Sequence, residues 1–176
     1  VRDLIRLGYG EVPWPWMVVN FIFQRLLKIN GHIPYPVNFT SRIHGGYPKI
    51  EARVGISLAM NGGMYLSCHG GIELGDNTFI GKNVGILTIN HDLLDRDLPT
   101  NEGPTIIGRN CWLGMNSVIL PGTRLGDNTS VAAGAVVQGR FPPNVVLAGA
   151  PARIVKVVNQ SSVAEFRKRR NVRTGT

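Results

Sequence analysis

From Leu74 the chain repeats in sixes. The blocks read LGDNTF, IGKNVG and ILTINH, and after an interruption the frame resumes at Ile107 with IGRNCW, LGMNSV, ILPGTR, LGDNTS, VAAGAV and VQGRFP. Every block opens on an aliphatic residue: Leu74, Ile80, Ile86, Ile107, Leu113, Ile119, Leu125, Val131 and Val137. The fifth positions include Thr78, Val84, Cys111, Ser117, Thr123, Thr129 and Ala135, all small or β-branched. Gly follows the aliphatic at 75, 81, 108, 114 and 126. A half-buried strand repeats every two residues and a helix every 3.6, and neither produces nine matches at six.

A period of six has a physical reading. Each block forms a short strand and then turns, and three blocks close one triangular coil. The aliphatic of each block points into the prism, beside a fifth position where a large side chain does not fit. Stacked coils satisfy their backbone groups by parallel pairing at ~4.8 Å. Gly and Asn at the corners tolerate positive φ. Gly71-Ile72 and the segment from Ile50 to Ile56 suggest earlier, less regular coils. The fold class expected is all-β, a parallel β-helix, over residues 41–158.

Residues 1–40 form a separate helical and extended segment. Its run WPWMVVNFIFQRLLKI, from Trp14 to Ile29, suits one amphipathic helix packed on the main body. It is broken by Pro15, Asn20, Gln24, Arg25 and Lys28, and it is shorter than the ~20 apolar residues of a membrane span. The alternative is weak peripheral membrane contact through residues 14–29, carried by the Trp and Phe side chains. At the other end, residues 159–176 read as a basic, helical or solvated tail containing Arg167, Lys168, Arg169, Arg170 and Arg173.

The repeat breaks once. Residues 92–106 do not fit the frame, and an insertion into a filled prism must project outward. Long loops in compact repeats are usually functional. At the root of this one stands Asn90-His91-Asp92. An imidazole with an ordinary pKa near 6.5 suits removal of a proton at neutral pH, provided an acceptor fixes its tautomer. Asp92, Asp95 and Glu51 are candidate acceptors. His32, His44 and His69 have no comparable context; His69, in CHGG, is read as structural, with a substrate-site role as the alternative.

Composition narrows the partners. The net charge is +8, from 19 Lys and Arg against 11 Asp and Glu. That favours an anionic partner, and no nucleic-acid-binding motif accompanies the charge. Two cysteines make no disulfide framework, and nothing resembles a cleavable secretory signal, so a reducing, cytoplasmic compartment fits. The four histidines, at 32, 44, 69 and 91, include no close pair, which argues against a metal site.

The stretch GIELGDNTFIGKNV, the Asn-His-Asp triplet and the end AGAPARIVKVV resemble the hexapeptide-repeat acyltransferase superfamily, in particular sugar O-acetyltransferases of capsule, O-antigen and maltose or galactoside type. The resemblance implies a left-handed β-helix, a homotrimer with sites between subunits, acetyl-CoA as co-substrate without a metal, and a sugar or glycan hydroxyl as acceptor. It implies His91 as general base, flanked by Asn90 and Asp92, with a carboxylate or a backbone carbonyl as the acceptor that orients it. Trp112 matches a residue beside the cofactor, and the Gly114-Met115 backbone matches a donor near the thioester oxygen. Ala133 matches a contact to the pantetheine arm, and Arg153 and Lys156 match residues that meet CoA phosphates. Met at 115 departs from the small residue usual there. The alternatives are an amino-sugar N-acetyltransferase or antibiotic acetyltransferase on the same scaffold, and a non-catalytic interaction module.

Overall fold

The computed structural model of the chain describes residues 2–159. In its main body each short strand pairs with a strand one coil away, not with its neighbour in the chain. Three five-stranded sheets result. The first holds Arg42–His44, Tyr65–Ser67, Gly85–Ile86, Val118–Ile119 and Val136–Val137. The second holds Lys49–Ile50, Ile72–Leu74, Thr105–Ile107, Arg124–Leu125 and Arg140–Phe141. The third holds Phe79–Ile80, Trp112–Leu113, Ser130–Val131, Val145–Gly149 and Ala152–Val157. The pairs are parallel, except that Ala152–Val157 turns back antiparallel on Val145–Gly149. The chain therefore visits the three sheets in rotation, as the walls of a triangular prism.

All nine block-opening aliphatics are buried, and so are the seven fifth positions. Burying each large aliphatic contributes about 1.5–3 kcal/mol relative to leaving it in water. The buried hydroxyls need partners, and the backbone supplies them. Ser117 Oγ donates to the Gly114 carbonyl (2.7 Å), and Thr129 Oγ1 to that of Gly126 (2.7 Å). At the corners, Asn77, Asn83, Asn110, Asn116 and Asn128 hold φ between 53° and 59°, as the corner reading expects. Asn77 and Asn110 also hydrogen-bond side chain to side chain across adjacent coils (2.9 Å).

The second-position glycines serve another purpose. They are not among the residues with positive φ. A Cβ on Gly114 would sit 2.6 Å from both the Ala133 nitrogen and the Val131 oxygen of the next coil. These glycines let the coils stack in contact.

Register locates the insertion. Val118 pairs with Val136, 18 positions on, whereas Gly85 pairs with Val118, 33 positions on. The excess of fifteen residues leaves at the corner between the first and second sheets. It includes the antiparallel ribbon of Ile89–His91 with Pro99–Asn101.

Two expectations change toward the N-terminus. The segment from Ile50 to Ile56 begins in a strand but runs into the helix Gly55–Met60, which stands where the first coil would have its third wall. The helix expected from Trp14 is α-helical over Trp14–Phe21 and continues as a π-helix over Ile22–Leu26. Its inward side is mixed, with Met17 packed on the core beside two buried amides and Phe23 stacked on Phe39. Asn20 and Gln24 are buried, while Trp14, Val18, Phe21, Ile22 and Leu26 are exposed. Asn20 Nδ2 donates to the Ala59 carbonyl (3.0 Å). Gln24 Nε2 faces the carbonyls of Asn30, Ile33 and Tyr35 (2.9–3.2 Å), and its Oε1 accepts from Val37 N–H (3.3 Å). No described helix is long and apolar enough to cross a membrane. The basic tail lies, from residue 160, outside the described residues.

Candidate active site

His91 ends the first strand of the ribbon, on the corner between the first and second sheets. The ribbon is anchored at its root. Thr88 Oγ1 donates to the Ser67 carbonyl (2.6 Å) and accepts from Gly70 N–H (2.8 Å). Thr105 Oγ1 donates to the Leu87 carbonyl (3.0 Å). Both strands leaving the prism are thus tied to buried backbone.

The acceptor for His91 is none of the three carboxylates suggested by the sequence. Nδ1 lies 2.6 Å from the backbone carbonyl of Arg96. A carbonyl only accepts, so Nδ1 carries the proton and Nε2 is left with its lone pair, open to solvent. Asp92 Oδ1 is occupied otherwise. It accepts from the N–H groups of Leu94 (2.8 Å) and Asp95 (3.2 Å), shaping the turn that brings Arg96 back to the imidazole. Asp95 Oδ1 accepts from Asp97 N–H (3.0 Å) in the same turn. Glu51 is on a different corner, where its Oε2 meets Asp76 N–H and the Arg109 side chain. Asn90 Oδ1 accepts the His91 N–H (3.3 Å). A backbone carbonyl carries no residue signature, so no motif could have pointed to Arg96. His69 is exposed, with its ring covering Gly45.

The residues matched to the cofactor gather elsewhere. Gly114 and Met115 form the corner between the third and first sheets, and Ala133 lies one coil further on. Gly114 N–H donates to the Val131 carbonyl (2.9 Å), which leaves the Met115 N–H as the open donor of that pair. At the corner between the second and third sheets, comparable N–H groups are occupied. Asp76 N–H donates to Glu51 and Arg109 N–H to Asp127. The third-to-first corner has no such carboxylates. There the backbone N–H groups of Met115 and Ala133 make no hydrogen bond with described residues.

Trp112, Ser130, Val146 and Lys156 stand in one register row across the third sheet. Three strand spacings, roughly 14 Å, separate Trp112 from Lys156. Both side chains are exposed, as is Arg153 on the same terminal strand. His91 and the Met115–Ala133 corner therefore stand at opposite edges of the first sheet within one chain. Cys68 and Cys111 are buried and free, and burial pushes their thiols up to about 12 and about 11. Neither is poised as a thiolate. No group of three or more metal-ligating side chains occurs among the described residues.

Comparison with known proteins places this geometry. The family model for the bacterial transferase hexapeptide (six repeats) matches residues 104–139, and that for the hexapeptide repeat of succinyl-transferase matches residues 71–90. These are the coils on either side of the inserted ribbon. The coils at residues 71–90 and 104–139 are thus hexapeptide repeats of the kind found in bacterial acyltransferases. The prism is the left-handed parallel β-helix of hexapeptide-repeat proteins. Galactoside O-acetyltransferase of Escherichia coli (strain K12) is 37% identical over 91 residues, covering 50% of this chain and 45% of the relative. The protein of the same strain with the provisional name lipopolysaccharide biosynthesis O-acetyl transferase WbbJ is 27% identical over 155 residues, covering 80% and 79%. The hexapeptide-repeat acetyltransferase VCA0836 of Vibrio cholerae O1 biovar eltor, solved with acetyl coenzyme A, is 30% identical. It has a TM-score of 0.55 over 55–60% of each chain (57% and 56%). The chain spans about half the length of the galactoside O-acetyltransferase it matches.

Proposed function

We propose that the chain is an acetyl-CoA-dependent O-acetyltransferase whose acceptor is a hydroxyl of a sugar or glycan. The observation that carries this reading is the 2.6 Å contact of His91 Nδ1 with the Arg96 carbonyl, on a ribbon anchored to the prism. It fixes the tautomer a general base requires. The names of the relatives, a galactoside O-acetyltransferase and a lipopolysaccharide biosynthesis O-acetyl transferase, supply the acceptor class.

In this reading donor and acceptor bind together. Nε2 of His91 takes the hydroxyl proton as the oxygen attacks the thioester carbon. The carbonyl oxygen gains negative charge, which an open backbone N–H such as that of Met115 is suited to stabilise. The tetrahedral species then collapses. The C–S bond breaks, and the proton on Nε2 passes to the departing thiolate to give free CoA. Proton and electron pairs balance without a covalent enzyme intermediate, in keeping with two buried thiols. Trp112, Ala133, Arg153 and Lys156 are assigned to the cofactor. The exposed row from Trp112 to Lys156 suits an extended molecule ending in phosphates, which cations recognise.

The separation of His91 from the Met115–Ala133 corner supports a homotrimer. Opposite edges of one sheet do not form a single site, but edges from adjacent copies do. The test is thiol release from acetyl-CoA against a panel of sugars, with analysis of the product. An alkali-labile ester supports the reading. An alkali-stable amide would move it to N-acetylation, and the absence of both turnover and CoA binding would favour an interaction module.

A further inference from the structure

We propose that the outer face of the helix running from Trp14 to Leu26 docks this protein on an anionic lipid bilayer surface. This does not depend on the proposed activity. The first observation is how the helix is held. Hydrogen bonds from the buried Asn20 and Gln24, with Met17 packed beside them, fix its inward side, so the helix cannot roll its outer apolar residues inward without breaking them. Those outer residues are left outside, with Trp14 76%, Leu26 67% and Phe21 58% exposed. Among the described residues nothing covers it.

Charge selects the occupant. From Val12 to Ile50 the sequence contains no Asp or Glu, while Arg25, Lys28, Arg42 and Lys49 are all cationic. Arg25 and Lys28 are exposed and flank the apolar face. The exposed acids nearest the helix in the chain are Asp3 and Glu11, and Glu11 is paired with Arg53 (3.1 Å). Cations beside exposed Trp and Phe side chains suit an anionic headgroup layer, where such side chains are the usual anchors. The patch also has room for lipid. A groove of about 430 Å³ is lined by Leu4, Met17, Val18, Phe21 and Pro34, with Arg25 at its edge. The apolar lining suits an acyl chain and the guanidinium a phosphate.

The test uses the full chain with vesicles of phosphatidylcholine alone and vesicles containing about a quarter phosphatidylglycerol. Wild type is expected to sediment with the anionic vesicles, with a blue shift of Trp fluorescence, and to stay in solution with the neutral ones. A variant carrying Trp14→Ser, Phe21→Ser and Leu26→Ser, and another carrying Arg25→Glu and Lys28→Glu, should each bind at least about tenfold more weakly. Both should keep the wild-type unfolding midpoint. The proposal is overturned if wild type remains in solution with anionic vesicles, or if the triple variant binds as well as wild type. It is also overturned if the triple variant changes the oligomeric mass by light scattering, which would make the patch a contact between copies.

Discussion

Gly114→Ala should weaken the fold more than its small size suggests. The added Cβ would meet the Ala133 nitrogen and the Val131 oxygen at 2.6 Å. That is about 0.9 Å short of the ~3.5 Å at which non-bonded atoms rest. Both contacts are backbone, so no side chain can swing away. Relief requires separating two coils, which stretches the hydrogen bond from Gly114 N–H to Val131 (2.9 Å) and the neighbouring one from Gly134 N–H to Met115 (3.0 Å). Overpacking costs about 1–3 kcal/mol and a strained backbone bond about 1. The stiffer unfolded chain returns about 0.4–1 kcal/mol. The net is a loss of about 1–3.6 kcal/mol, centred near 2, or a urea midpoint lowered by about 1 M for a slope of ~2–3 kcal/mol/M. Gly134 is the control. Nothing lies within 4 Å of its Cβ position, but its φ is +70°. Gly134→Ala should lose only the ~1–2 kcal/mol of a left-handed backbone, less the same ~0.4–1 kcal/mol returned by the stiffer unfolded chain. Gly134→Asn should be near neutral, because asparagine already holds this conformation at the same block position in Asn116 and Asn128. Midpoints in urea at one protein concentration should fall in the order wild type, Gly134→Asn, Gly134→Ala, Gly114→Ala. A Gly114→Ala midpoint at or above wild type, or above that of Gly134→Ala, would refute the stacking argument.

Other outcomes follow from the same contacts. Gln24→Leu leaves the carbonyls of Ile33 and Tyr35 and the Val37 N–H without their buried partner, and should cost about 3 kcal/mol or more in thermal or urea unfolding. Asp92→Asn keeps an oxygen for the Leu94 and Asp95 N–H groups and should hold kcat near wild type. Asp92→Ala should lower kcat severalfold without raising KM for acetyl-CoA, since the turn that presents Arg96 is loosened. Cys68 and Cys111 should resist alkylation in the native protein at pH 8 and react once it is unfolded. Their raised pKa values mean that the folded state holds protons the unfolded state has released. Stability should therefore be unaffected by these thiols below about pH 8.5 and decline as pH rises toward about 11 and about 12.

The prism was legible because it is dictated by side-chain size repeated many times. Nine large aliphatics and seven small partners at fixed spacing leave one economical way to bury them. The place of the insertion was legible as the single failure of that spacing, and the register step from Gly85 to Val118 has the expected length. What escaped was set by backbone. A carbonyl partner for His91 was one of the implied alternatives, but that it belongs to Arg96 was not readable, because every residue has a carbonyl. The second-position glycines were read for turn freedom, whereas their role is the approach of the next coil. The helix from Trp14 was read by its apolar positions. Its orientation is decided by two amides, Asn20 and Gln24, whose carbonyl partners lie on chain segments that periodicity does not describe. Met115 was read together with Gly114, and only the stacking bond of Gly114 separates the two N–H groups.

The central claim, that His91 removes the acceptor proton, is tested most directly by His91→Ala with two measurements on the same preparation. One is CoA binding by calorimetry and the other is acceptor-dependent thiol release. CoA affinity should stay within about twofold, because none of the residues assigned to the cofactor is changed, while kcat falls by about 10²–10⁴. Thiol release at the wild-type rate with CoA binding intact would contradict it.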